Sequence, residues 1–167
     1  MKRVLSLVLL VGLVSIALSQ TQKNDSSKFA AEAAQGGMAE VEMGRLAAEK
    51  GMDPAVKGFG QRMVDDHSKA NDELKSIAAK NNISLPAEMN AVQKAGLNKL
   101  SKLSGAAFDK AYMSMMVKDH VKDVGEFEMQ AKSGTNSDVK TFASTTLPTL
   151  QTHLQLARDT ATKVGAK

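Results

Sequence analysis

Apolar residues recur at helical spacing along most of this chain. With Met63 as the origin of a helical wheel, Val56, Phe59, His67, Ala70, Leu74 and Ile77 all lie within about 40° of it at 100° per residue. The face that should be buried therefore carries a histidine, within the stretch Met63–Leu74 (MVDDHSKANDEL), while Asp66 lies at its edge and Asp65 points to solvent. Asp53 followed by Pro54 is a start signal, a capping acceptor and then the residue favoured at the first helical position. Asn81 and Asn82 supply the stop, which predicts a helix from Pro54 to about Lys80.

The opening of that motif returns at Met116–His120 (MVKDH). Around Met116 the arc holds Tyr112, Met113, His120, Val124, Phe127 and Ala131, with Asp119 and Asp123 at one edge, in a helix predicted from Ala106 to Lys132. A last helix, after Ser137 and running to about Lys163, gathers Val139, Phe142, Ala143, Leu147, Leu150, His153, Leu154 and Ala157 on one broad face. Pro148 lies inside it. Proline lacks an N–H and clashes with the carbonyl four residues back, so a kink or short break is expected near Thr145.

Upstream, a helix is predicted from Ser26 or Ser27 to Lys50, ended by Gly51 as a left-handed C-cap. Its expected core stripe is Ala30, Ala34, Met38, Val41, Ala48 and Met52. A second stripe is small, Ala33, Gly37, Gly44 and Ala47, with Glu40 in its middle. A glycine inside a helix costs about 1 kcal/mol relative to alanine, so Gly37 and Gly44 imply close approach of a neighbouring helix. Ile83–Pro86 reads as an extended link, and Glu88–Leu103 as a short helix with loose periodicity, suited to a crossover. Val56–Phe59 (VKGF) and Val139–Phe142 (VKTF) echo each other, each opening a histidine-bearing helix. The expectation is an all-α fold over residues 28–164, a ferritin-like four-helix bundle with an additional short crossover helix.

The N-terminus reads differently. Lys2 and Arg3, an apolar run from Val4 to Leu18 and the small-x-small step Ala17-Leu18-Ser19 form a secretory pattern, so residues 1–19 are expected to be cleaved and residues 20–27 to form a flexible leader. The run is shorter than the roughly 20 residues a membrane-crossing helix needs. Removing Lys2 and Arg3 leaves 20 basic against 18 acidic residues, close to neutral. With one tyrosine, no tryptophan and no basic cluster, nucleic-acid binding is set aside. No cysteine is present, so there is neither a disulfide framework nor a lipidation site, and the core must hold the fold alone.

Candidate chemistry centres on the histidines, three in the chain and one on each of three helices. Ferritin-type di-iron sites need Glu-x-x-His, whose spacing puts both ligands on one face; the residues three before His67, His120 and His153 are Val64, Val117 and Leu150. Three imidazoles with Asp66, Asp119, Asp123 or Glu40 as a fourth ligand would instead suit zinc or another transition metal. Methionine thioethers favour Cu(I), but Met38, Met63, Met113 and Met116 hold core spacing. The non-metal alternative is a buried network in which Asp66 serves His120 and Asp119 serves His67, because adjacent residues on a helix cannot face each other. No Gly-x-Ser-x-Gly, His-Glu-x-x-His or phosphate-binding glycine loop occurs, so no enzyme class is indicated.

The phrases Ala34–Gly44 (AQGGMAEVEMG), Phe59–Asn71 (FGQRMVDDHSKAN), Phe108–Tyr112 (FDKAY) and Leu147–Leu154 (LPTLQTHL) resemble the exported bacterial proteins grouped as domain of unknown function 4142, often labelled outer membrane proteins. The resemblance spans about Lys28 to Ala161 and implies a ferritin-like bundle, export, and no established activity. A membrane barrel needs repeated alternating strands of about ten residues, and none is present, so the label is read as cell envelope. The preferred expectation is an exported periplasmic or secreted bundle, non-catalytic, with a binding or stress-associated role. The alternative is a metal-handling protein (zinc, copper or iron) using His67, His120 and His153. The sequence specifies neither a protein or small-molecule partner nor the oligomeric state.

Overall fold

The structure is a computed structural model that describes the backbone of residues 5–166 and side chains from residue 25 onward. The basic start lies outside the described residues, as do the side chains of the apolar run and of the expected cleavage site. Among the described residues there are five helices and no strand: α1 (Leu5–Lys50), α2 (Pro54–Asn81), α3 (Ala91–Ser101), α4 (Gly105–Ser133) and α5 (Ser137–Val164). Four long helices form the all-α bundle, and α3 is the short crossover between its two halves.

Local signals set most boundaries. Asp53 caps α2, its side chain accepting from Ala55 N–H, with proline in the first turn; Asn82 closes it in the left-handed region at φ 53°. Asn90 and Gln93 form a reciprocal capping box on α3, which therefore starts three residues later than Glu88. Asn136 caps α5 by accepting from the N–H groups of Asp138 and Val139. Ser26 and Ser27 lie inside α1 instead of opening it. Ser26 is buried, and its hydroxyl accepts from Asn136 N–H and the Gln130 amide, both at 3.3 Å, tying α1 to the α4–α5 turn. Gly51 is not left-handed; its N–H bonds Ala47 O at 2.9 Å, and a Cβ there would lie 2.7 Å from that same oxygen. Pro148 does not break α5, which continues through it.

The helices pack as two hairpins, α1 with α2 and α4 with α5, joined so that α2 lies beside α5 and α1 beside α4. α2 and α4 are thus diagonal. The α1–α2 pair is very close: a Cβ on Gly44 would sit 2.7 Å from Gly60 O, and one on Gly60 would sit 2.7 Å from Gly44 O. That approach turns the small stripe of α1 inward. Gly37, Glu40, Gly44 and Ala47 are buried, whereas Met52, expected in the core, is 63 % exposed. Gly37 meets the Asn71 side chain, not a neighbouring backbone.

Two apolar clusters fill the interior. One contains Met43, Phe59, Met63, Phe108, Tyr112, Met116 and Ala157; the other contains Ala30, Leu74, Phe127, Phe142 and Leu150. On each histidine-bearing helix the ring falls between the two. Met63 and Leu74 flank His67, Met116 and Phe127 flank His120, and Leu150 and Ala157 flank His153. A polar layer therefore separates the two apolar clusters of the bundle.

Candidate metal centre

His67, His120 and His153 converge in that layer. All three are buried, the ring centroids are 5.4 to 5.9 Å apart, and one ligand nitrogen from each lies within 4.8 Å of the others. Tetrahedral coordination at about 2.05 Å puts ligand nitrogens about 3.3 Å apart, so a shared ion requires the rings to draw in by about 1.5 Å at most.

The outer nitrogens are engaged. His120 Nδ1–H donates to Met116 O at 2.9 Å, and His153 Nε2–H donates to Asp66 Oδ2 at 2.8 Å. Because a carbonyl and a carboxylate oxygen only accept, those protons are fixed there, and the remaining nitrogen on each ring presents a lone pair. His120 Nε2, His153 Nδ1 and His67 Nε2 are buried with no hydrogen-bond partner. Three buried ring nitrogens left over in one layer lack a partner that a cation would supply.

The rings are held neutral, the form that ligates. Burial, then repulsion from His120 and His153, holds His67 down at about 3. Burial and His153 hold His120 at about 4, with the bond to Met116 acting the other way. Burial also lowers His153, although Asp66 pulls it back up.

The carboxylates are arranged otherwise than the sequence suggested. Asp66 does not serve His120 and Asp119 does not serve His67, because α2 and α4 are diagonal and their edge residues face different neighbours. Asp66 meets α5 through His153 and is also paired with Arg62 at 3.3 Å. It holds the Nε2 proton of His153. Asp119 is half-buried in a crevice on the other side of α4.

Glu40, 4 % exposed, sits with Oε1 3.7 Å from His120 Nδ1 and Oε2 without a partner. Burial, with the nearby Asp123 and Asp119, pushes its carboxyl well above the usual carboxylate range. The Tyr112 phenol, also buried and unpartnered, is raised by burial and by Glu40. Met63, Met113 and Met116 are fully buried packing residues of one apolar cluster, which is what their spacing implied.

Two solved structures share the fold. A DUF305 fragment from Deinococcus radiodurans superposes with a TM-score of 0.72 at 10 % identity, covering 83 % of this chain and 96 % of that one. A DUF305 protein from Streptomyces coelicolor, described as secreted, gives 0.72 at 16 % identity over 86 % and 95 %. Among curated proteins, none matches. Residues 15–160 match the sequence profile described as domain of unknown function, DUF4142, and since that span is nearly all of the chain, the protein belongs to this family.

Proposed function

We propose that this protein is a metal-binding helical bundle in which His67, His120 and His153 hold one divalent late first-row ion, zinc or copper(II). One observation carries this reading: the three rings share a buried layer in which each keeps a nitrogen without a partner, and in two of them the proton is fixed on the opposite nitrogen. Neutral imidazoles without thiolates suit these borderline metals. Asp66 behind His153 and Met116 O behind His120 act as outer-shell partners that orient ligands and raise their basicity. A cavity of about 30 Å³ beside His67 has room for about one water as the fourth ligand.

No reaction is assigned to the site. Iron in the ferritin manner is disfavoured by the absence of Glu-x-x-His, and Cu(I) by the methionines' role in packing. The protein is further proposed to be exported to the periplasm or beyond, supported by the secretory pattern at its start, by the Streptomyces neighbour described as secreted, and by the absence, among the described residues, of a helix long and apolar enough to cross a membrane. The test is elemental analysis of untagged protein after equilibration with zinc or copper(II) and gel filtration. One ion per chain, lost in His67→Ala, supports the reading; metal-free protein, or metal retained by that variant, overturns it in favour of a bundle whose histidines serve packing alone.

A further inference from the structure

A second feature lies next to the histidine layer. Between α1, α3 and α4 a surface crevice of about 370 Å³ is lined by Glu32, Glu40, Asp119 and Asp123, with Lys122 the one basic residue on its wall. The Lys122 ammonium pairs with Glu126 at 2.7 Å and also acts on Asp123 and Glu32, so carboxyl groups outnumber the single cation on the wall. An acidic lining alone would mean little. Here, however, the Glu40 carboxyl lines the same crevice, is almost wholly buried, and has Oε2 without a partner.

The crevice also adjoins the interior cavity. Glu32, Gly36 and Asp123 line both it and the small interior cavity that reaches His67. Between them stands a glycine: a Cβ built on Gly36 meets nothing within 4 Å. No neighbouring side chain therefore fills the position of Gly36, which lines both volumes.

Resting on the histidine-centred reading above, we propose that this crevice is the entry route of the metal ion. Asp119 and Asp123 take a divalent cation at the surface, and the gap at Gly36 admits it to the cavity beside His67. Carboxylate oxygens suit this step because they bind a hydrated cation without stripping it, leaving dehydration to the imidazoles inside. Asp123 fits the role electrostatically. Burial, opposed by Lys122 and reinforced by Asp119 and Glu126, holds its carboxyl up at about 7, and a cation at the crevice offsets that repulsion and displaces the proton. Glu40 stays outside the ligand set, since its nearer oxygen faces the engaged side of His120, while its unpartnered Oε2 offers an acceptor at the inner wall.

The test is kinetic, with cobalt(II) alone as probe and the visible absorption of the tetrahedral ion as signal after rapid mixing. Gly36→Leu should slow loading at least tenfold and slow removal by a chelator by the same factor, leaving the final absorption unchanged. A variant that merely disturbed the site would change the final absorption or the affinity instead. The Asp119→Asn/Asp123→Asn pair, which conserves volume, should slow loading at least tenfold and decides the question if Gly36→Leu does not fold. Loading of these variants at the wild-type rate, with full final absorption, overturns the route while leaving the histidine centre standing. Absence of any cobalt signal in the wild type overturns both.

Discussion

Asp66 on α2 accepts a hydrogen bond from His153 Nε2 on α5 at 2.8 Å, and this contact fixes the proton of the buried ring on Nε2 and leaves Nδ1 as the nitrogen with a free lone pair. Carboxylate–histidine pairs of this kind typically contribute 10–100-fold to metal affinity. Asp66→Asn preserves the shape of the contact but not its charge, so affinity for zinc should fall about tenfold or more in a competition titration against a chromophoric chelator. Unchanged affinity in that variant would show Asp66 to be a helix-pairing residue only.

The buried imidazoles make the stability of metal-free protein depend on acid. An unfolded histidine titrates near 6.5, whereas His67 is held at about 3 and His120 at about 4 in the fold. Between those limits the unfolded chain binds more protons, so this contribution is fully present above about 6.5 and is lost as the pH falls through the window. The raised carboxyls of Glu40 and Asp123 act with the opposite sign, adding stability at low pH that is lost as the pH rises through their folded values. A difference measurement isolates the histidine. In urea unfolding with a chelator present, the stability of wild type relative to His67→Gln should fall by on the order of 2 kcal/mol between pH 7 and pH 4.5. A gap that stays constant over that range would mean His67 is not desolvated.

The Gly44–Gly60 contact supplies a test of the α1–α2 interface. Adding one methyl at Gly60 places it 2.7 Å from Gly44 O and 2.8 Å from Ala47 Cβ, and neither backbone can give way without moving the hairpin. Gly60→Ala should destabilise by about 1–3 kcal/mol. By contrast, Gly58 and Gly125 lie in helix interiors with nothing within 4 Å of a built Cβ. Their alanine variants should be stabilised by up to about 1 kcal/mol, through helix propensity alone. Thermal melts that rank the three variants otherwise would remove close approach as the reason for these glycines.

What could be read ahead of the structure follows from which properties are local. Helix ends at Pro54, Asn82 and Ser137 are set by caps, and the place of each histidine on a buried helix face by periodicity, so both were legible; that the three rings meet in one layer was not. Pairings between helices were not. Assigning Asp66 to His120 requires α2 and α4 to be neighbours, and only the assembled bundle reveals that they are diagonal. The inward face of α1 was legible in part: Ala30, Ala34 and Val41 are buried as their spacing implies, whereas Met52 is exposed. Hydropathy favoured the stripe with Met38 and Met52, but a backbone approach at Gly44 rewards the smallest side chains and carries Glu40 inside with them. Gly60 and Asp109 carry no structural signal of their own, because a glycine near a helix start and an aspartate beside a phenylalanine acquire a role only once their partners are known.

Asp109 is the residue whose importance most exceeds its visibility. It belongs to α4 yet is 1 % exposed, and its two carboxylate oxygens accept from Met52 N–H at 2.9 Å and Asp53 N–H at 2.8 Å, in the turn that starts α2. Those N–H groups precede the helix and have no ladder partner of their own. Asp109→Ala leaves both without an acceptor in a partly buried turn and should destabilise by about 3 kcal/mol, given about 1.5–3 kcal/mol for a hydrogen bond to a charged group. For a domain of this size that is a fall of roughly 6–12 °C in Tm. Asp109→Asn retains one acceptor oxygen and should lose about half as much. The contact lies in the turn between α1 and α2, apart from the histidine layer, so cobalt stoichiometry below the melting temperature should match wild type in both variants. A variant that melted normally but lost metal would place Asp109 in the site and not in the fold.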